Sequence, residues 1–63
     1  MSEHRDAVVG SVTDYGGATL EVAVRGVDVV LTLAHDGETA SIALSPDEAA
    51  VLAQLLEKAL AVE

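Results

Sequence analysis

The chain has 63 residues, no cysteine, and 3 Lys and Arg against 11 Asp and Glu, which gives a formal net charge of −8. A chain this short forms one domain at most, and folding hides only about 60% of the surface that the unfolded chain exposes. Disulfides, thiolate metal sites and thiol nucleophiles are excluded because cysteine is absent. The negative charge argues against direct binding of nucleic acid, because proteins hold the phosphate backbone with Lys and Arg.

Alternation of apolar and polar residues predicts four strands, at residues 7–13, 18–25, 28–34 and 39–44. Residues 1–6 are polar and mixed in charge, and they are predicted to be a disordered N-terminus. One face of the sheet is expected to carry the alternating apolar positions, which are Val8, Gly10, Val12, Leu20, Val22, Val24, Val29, Leu31, Leu33, Ala40, Ile42 and Leu44.

Two short turns predict how the last three strands pair. Asp-Gly at positions 36–37 favours a two-residue hairpin turn, which places Leu31 opposite Ile42. Gly-Val at positions 26–27 suits a type II′ turn, which places Leu31 opposite Val22. Both turns join apolar positions to apolar positions, so the two registers agree with each other.

The first hairpin needs a longer loop to keep its apolar residues on one face. A three-residue loop at positions 15–17 pairs Val12 with Leu20 and Val8 with Val24. A two-residue loop would instead turn Val12 toward a glutamate. The four strands therefore predict an antiparallel β-meander over residues 7–44.

A helix is predicted to follow the meander, over residues 46–62. Ser45 is a typical N-cap, Pro46 suits the first helical position, and Glu48 completes a capping box. The whole chain is thus expected to be a single α+β domain of order ββββα.

Apolar residues cover about twice the arc of roughly 100° that a surface helix needs. One half of this arc, which includes Leu52, Leu56 and Leu60, is expected to pack on the sheet of its own chain. The other half is predicted to be the interface of a homodimer and contains Val51, Leu55 and Val62. Packing of helix on helix and joining of two sheets edge to edge would both produce such a dimer.

Two histidines and several acids do not combine into a predicted catalytic or metal site. His35, Asp36 and Glu38 lie close in sequence, but Asp36 belongs to a turn and the other two flank it as an exposed cross-strand pair. A metal site requires ligands that converge from separate elements. His4 falls in the predicted disordered segment. We therefore expect no catalytic residue, no metal and no cofactor, and we expect that the protein is not an enzyme.

The sequence Asp-Tyr-Gly-Gly at positions 14–17 is interpreted as a hairpin loop. A phosphate-binding loop would lead into a helix N-terminus, whereas here a strand follows. Tyr15 is the only aromatic residue of the chain. It is expected to shield one edge of the sheet, and the alternative is a contact at the loop tip.

Residues 44–52, with the sequence LSPDEAAVL, resemble the closing helix of many small uncharacterised proteins of actinobacteria and their phages. Those helices follow the pattern L-[ST]-P-[DE]-E-A-x-x-L. The resemblance implies an origin and not an activity, and it transfers no functional residue to this chain.

These features predict a small protein-interaction or accessory module that acts as a homodimer. No secretory signal is visible, and no apolar stretch approaches the roughly 18 residues of a membrane span, so a cytoplasmic location without membrane contact is expected. One alternative is an acidic phage or defence inhibitor that binds a nucleic-acid-handling protein. The other alternative is a domain that binds a small ligand in the dimer cleft.

Overall fold

The computed structural model describes residues 6–62, which form four strands and one helix. The elements are β1 (Ala7–Thr13), β2 (Thr19–Arg25), β3 (Asp28–His35), β4 (Glu38–Leu44) and α1 (Pro46–Ala61). The strands make one sheet in the order β1-β2-β3-β4, and every neighbouring pair is antiparallel. The predicted α+β fold of order ββββα is confirmed, with each boundary within one residue of the prediction.

The two hairpins that join β2, β3 and β4 have the predicted register. Leu31 lies opposite Val22 on β2 and opposite Ile42 on β4. At the tip of the second of these hairpins, Asp36 and Gly37 have φ angles of 54° and 79°. Positive φ at both central residues is the signature of a type I′ turn, whose twist matches that of the flanking strands.

The loop of the first hairpin is held by one side chain. Asp14 Oδ1 accepts hydrogen bonds from the backbone N–H groups of Gly16, at 2.8 Å, and of Ala18, at 2.9 Å. An aspartate that bonds its own backbone a few residues ahead mimics a backbone turn. Next to this loop, Val12 lies opposite Leu20, as predicted.

The outer end of the same hairpin differs from the prediction. Val8 lies opposite Ala23 and not opposite Val24, because the register shifts between Val8 and Gly10. The shift is a β-bulge that inserts Val9 as an extra residue, and such a residue reverses which face the residues beyond it occupy. The predicted pairing of Val8 with Val24 is therefore wrong, and Val8 belongs to the opposite face of the sheet.

The chain before β1 is described only from Asp6 onward, so the predicted disorder of residues 1–5 lies outside the described residues. Asp6 itself accepts a hydrogen bond from the backbone N–H of Gly26, at 3.2 Å, through its Oδ1 atom. Gly26 has a φ of 63°, which is consistent with the predicted type II′ turn.

The start of α1 is fixed by local hydrogen bonds. The Glu48 N–H donates to Ser45 Oγ at 3.2 Å, and the Ser45 N–H donates to Glu48 Oε1 at 2.9 Å, which together form the predicted capping box. Pro46 occupies the first turn. At the other end, Val62 is extended, with φ −82° and ψ 133°, so the helix ends at Ala61.

The helix packs on its own sheet only near its start. It approaches β3 and β4 but neither β1 nor β2. Ala49 and Leu52 are half-buried, and every other residue of α1 is exposed. Leu56 and Leu60 are 57% and 83% exposed, so the expectation that they pack on the sheet of their own chain is wrong. Among residues 6–62 no side chain is buried, which means that this part of the chain has no hydrophobic core of its own.

Candidate interaction surface

The exposed flank of α1 is the first of two apolar surfaces. The three residues that were predicted to form a dimer interface, Val51, Leu55 and Val62, are 54%, 54% and 73% exposed. Leu56 and Leu60 add to this surface, because they do not reach the sheet. The helix therefore presents more apolar area than was predicted.

The second apolar surface is one face of the sheet. Its end nearest the start of α1 is half-buried and contains Val24, Val29 and Leu44, which lie side by side on three strands. Val22 and Leu31, in the middle of the face, are half-buried as well. We call the large exposed residues of this face the distal patch, which consists of Val12, Leu20, Leu33 and Ile42. The register places all four on the same face as Leu31. Four large aliphatic side chains, 38% to 68% exposed, thus lie on one continuous sheet surface.

The size of the molecule agrees with this lack of cover. The chain exposes 5,251 Å², whereas a compact protein of 6.4 kDa exposes roughly 3,800 Å². Its radius of gyration is 13.4 Å, against about 10.6 Å for a compact domain of this length. Exposed apolar areas of this extent occur at protein–protein or membrane contacts and at ligand-binding grooves.

The opposite face of the sheet carries hydroxyl groups and also, in one row across the four strands, the apolar residues Val8, Ala23, Val30 and Ala43. Hydroxyl groups pair across neighbouring strands, with Thr13 Oγ1 and Thr19 Oγ1 3.1 Å apart and Thr32 Oγ1 and Ser41 Oγ 3.0 Å apart. The β-bulge brings Val8 to the rim of a shallow, open depression on this face. Such pairs of hydroxyl groups on neighbouring strands contribute to the stability of the sheet.

His35, beside the turn of the last hairpin, lies close to two acidic residues of that hairpin. His35 Nδ1 lies 3.4 Å from Asp36 Oδ2, and His35 is paired with Glu38 across the turn. All three residues are exposed. Over residues 6–62, no group of three or more His, Asp or Glu side chains lies close enough together to hold a metal ion. His4 lies outside the described residues.

Tyr15 does not shield an edge of the sheet. It sits at the tip of the β1–β2 loop and is fully exposed, so the shielding prediction is wrong. The alternative, that Tyr15 makes a contact at the loop tip, stays a prediction.

Carboxylates are spread over the described surface. Glu21 and Asp28 lie in strands, Asp36 lies in a turn, and Asp47 and Glu57 lie on the helix. Charge scattered in this way keeps a protein soluble.

No protein-family model matches this chain, and neither the curated proteins nor the solved structures contain one with significant similarity to it. In the part of the chain that the structure describes, no helix combines the length and the apolar character that a membrane span requires.

Besides the exposure of Tyr15, two features of the surface differ from what the sequence predicts. The sequence contains an indication of the bulge. Val8, Val9 and Gly10 interrupt the alternation of apolar and polar residues, and glycine within a strand often marks a bulge. The exposure of Leu56 and Leu60 had no such indication. Helix periodicity shows which residues share a face but not what covers that face.

Proposed function

We propose that the protein is a non-enzymatic protein-interaction module whose working form is a homodimer. The observation that supports this proposal is the absence of any buried side chain among residues 6–62, combined with large aliphatic side chains exposed on both α1 and the sheet. Burial of apolar surface is the dominant favourable contribution to folding. A chain that buries so little by itself gains stability when a second apolar surface covers it.

The exposed area is large enough to supply the interface of a stable homodimer. Two separate chains expose twice 5,251 Å², or roughly 10,500 Å², whereas a compact protein of twice the mass exposes roughly 6,300 Å². Association would therefore hide about 4,200 Å² if the dimer were as compact as an ordinary protein. Obligate homodimers bury about 2,000 to 5,000 Å² or more. Twofold dimers are also the most common oligomers.

Residues on α1 are the proposed centre of this interface. Val51 and Leu55 are four positions apart, so they lie on the same side of the helix, one turn from each other. Both are about half exposed in the single chain. In a twofold dimer both subunits contribute the same patch to the interface, so a change at either residue enters the interface twice.

A charged substitution at the centre of the helix surface tests this proposal. Light scattering of the wild-type protein is expected to give about 12.8 kDa, twice the 6.4 kDa of one chain. Leu55→Glu places a carboxylate in the interface, where burial of an unpaired charge is costly. We expect at least a tenfold weaker dimer for Leu55→Glu, which corresponds to about 1.4 kcal/mol.

Gln54→Glu is the matched control, because it adds the same charge one position away. At about 100° per residue, Gln54 lies on the polar side of α1, roughly opposite Leu52 and Leu56. This variant is expected to remain a dimer. A wild-type mass of 6.4 kDa at high concentration, or equal weakening by both substitutions, would contradict the proposal.

A further inference from the structure

We propose that in the homodimer the C-terminal half of each α1, residues 53–61, lies on the distal patch of the partner's sheet. The two subunits would then exchange their helices and complete one another's cores. This inference rests on the proposed homodimer and goes further, since it states which surface covers which. The occupant of the distal patch is a second copy of this chain.

The connection between β4 and α1 is the first support. Leu44 ends β4 and Pro46 begins α1, so Ser45 is the only connecting residue. Connections between strands and helices usually have 2 to 6 residues. Ser45 is further restricted, because both hydrogen bonds of the capping box involve it. A link this short and this constrained leaves little freedom for the helix to reverse over its own sheet, and short hinge loops favour the exchange of elements between subunits.

The exposure pattern is the second support. Within one chain, the leucine side chains become more exposed along α1, from the half-buried Leu52 to Leu60, which is 83% exposed. On the sheet, exposure increases from the half-buried Leu44, which ends β4 next to the helix, to the distal patch, where Leu33 is 49% exposed. The uncovered end of the helix and the uncovered end of the sheet are both aliphatic, so each is a suitable partner for the other.

Dimensions and charge are compatible with this packing. Residues 53–61 of α1 span about 14 Å, and a strand of seven residues spans about 23 Å. The C-terminal half of the helix is thus long enough to cover more than half of the face along the strands, which is enough for the distal patch. Glu57 and Lys58 are the charged residues in the C-terminal half of α1, and at about 100° per residue they fall on the side away from Leu52 and Leu56.

Engineered cysteines test the contact directly, because the chain has none of its own. One chain carries Leu33→Cys and the other, labelled with ¹⁵N, carries Leu56→Cys. The two are mixed, denatured and refolded together, and oxidised, and the disulfide-linked products are weighed by mass spectrometry. Random pairing of the two chains would make half of the linked dimers mixed, with one chain of each kind. Helix exchange predicts that mixed dimers make up more than half of the disulfide-linked products.

Other products would overturn the inference in distinguishable ways. If disulfides between two Leu56→Cys chains predominate, the helices pack on each other, and the homodimer stands without exchange. If a chain with both substitutions closes a disulfide within itself, the helix folds back on its own sheet. If the mass stays at that of one chain and no cross-link forms, the proposed homodimer fails as well.

A longer hinge provides an independent test. Insertion of Gly-Ser-Gly-Ser between Leu44 and Ser45 keeps the capping box and lengthens the connection to five residues. Helix exchange predicts that α1 then reaches its own sheet and that the variant is a folded monomer, with dimerisation weakened at least tenfold. A dimer of unchanged affinity would show that the hinge does not direct the helix and would overturn the inference.

Discussion

The two ends of α1 are stabilised in different ways. At its start, the capping box between Ser45 and Glu48 satisfies two backbone N–H groups, and Ala49 and Leu52 are half-buried. In its last turns the side chains are exposed, including the large Leu56 and Leu60. The beginning of the helix is therefore stable through contacts within its own chain, whereas the end has apolar residues that only another surface can cover.

The largest effect is expected from Leu56→Ala, which probes the uncovered end. If the partner's sheet covers Leu56, the substitution removes a buried side chain and should lower the free energy of unfolding by about 2 to 5 kcal/mol per subunit. Urea unfolding at a fixed chain concentration measures this loss. Gln54→Ala, on the polar side of the same helix, should change stability by less than about 0.5 kcal/mol. An equally small effect of Leu56→Ala would mean that the exposure seen in the single chain persists in solution.

Gly37→Ala probes a turn that is determined locally, as the start of α1 is. Gly37 has a φ of 79°, and an L-residue in the left-handed region loses about 1 to 2 kcal/mol. Gly16→Ala is the control, because Gly16 is not among the positive-φ glycines and an added Cβ would meet only Asp14 Oδ1, at an ordinary 3.6 Å. Thermal unfolding of both variants should show a clear loss for Gly37→Ala alone. Equal losses would exclude the type I′ geometry as the cause.

Ser45→Ala probes the start of the helix and should cost about 1 kcal/mol, the usual loss when an N-cap side chain is removed. Ser45→Asp retains an acceptor for the Glu48 N–H and should be close to wild type. Urea unfolding distinguishes the two variants. If alanine were tolerated as well as aspartate, the hydrogen bond from the Glu48 N–H to the Ser45 side chain would contribute nothing to stability.

The smallest effect is expected at the loop tip. Tyr15 is fully exposed, and Tyr15→Ala should change the free energy of unfolding by less than about 0.5 kcal/mol and leave the mass in solution unchanged. A loss above 1 kcal/mol, or aggregation of the variant, would show that Tyr15 covers a sheet edge after all.

Features that depend on neighbouring residues, such as the start of α1, could be predicted from the sequence, whereas features that depend on distant parts of the chain could not. The turn at Asp36 and Gly37 and the cap at Ser45 depend on residues only a few positions apart, so their chemistry was sufficient to predict them. The bulge at Val9 was missed because the position of a strand relative to its neighbour depends on both strands.

The surface that Leu56 packs against could not be predicted from the sequence either. Periodicity identified Leu56 as apolar surface, but whether its partner is the same chain or a second one depends on the direction that α1 takes after Ser45. The three residues predicted for the dimer interface are exposed, as an interface in a single chain would be, and their contact with a partner stays a prediction.

The most direct test of a core formed by two chains is the urea midpoint of the wild-type protein, measured over a hundredfold range of chain concentration. If unfolding and dissociation are one transition, the apparent free energy of unfolding rises by about 1.4 kcal/mol for each tenfold increase in concentration. The midpoint should move to higher urea accordingly. A midpoint that stays constant, together with a mass of 6.4 kDa, would show that the single chain is stable without a partner.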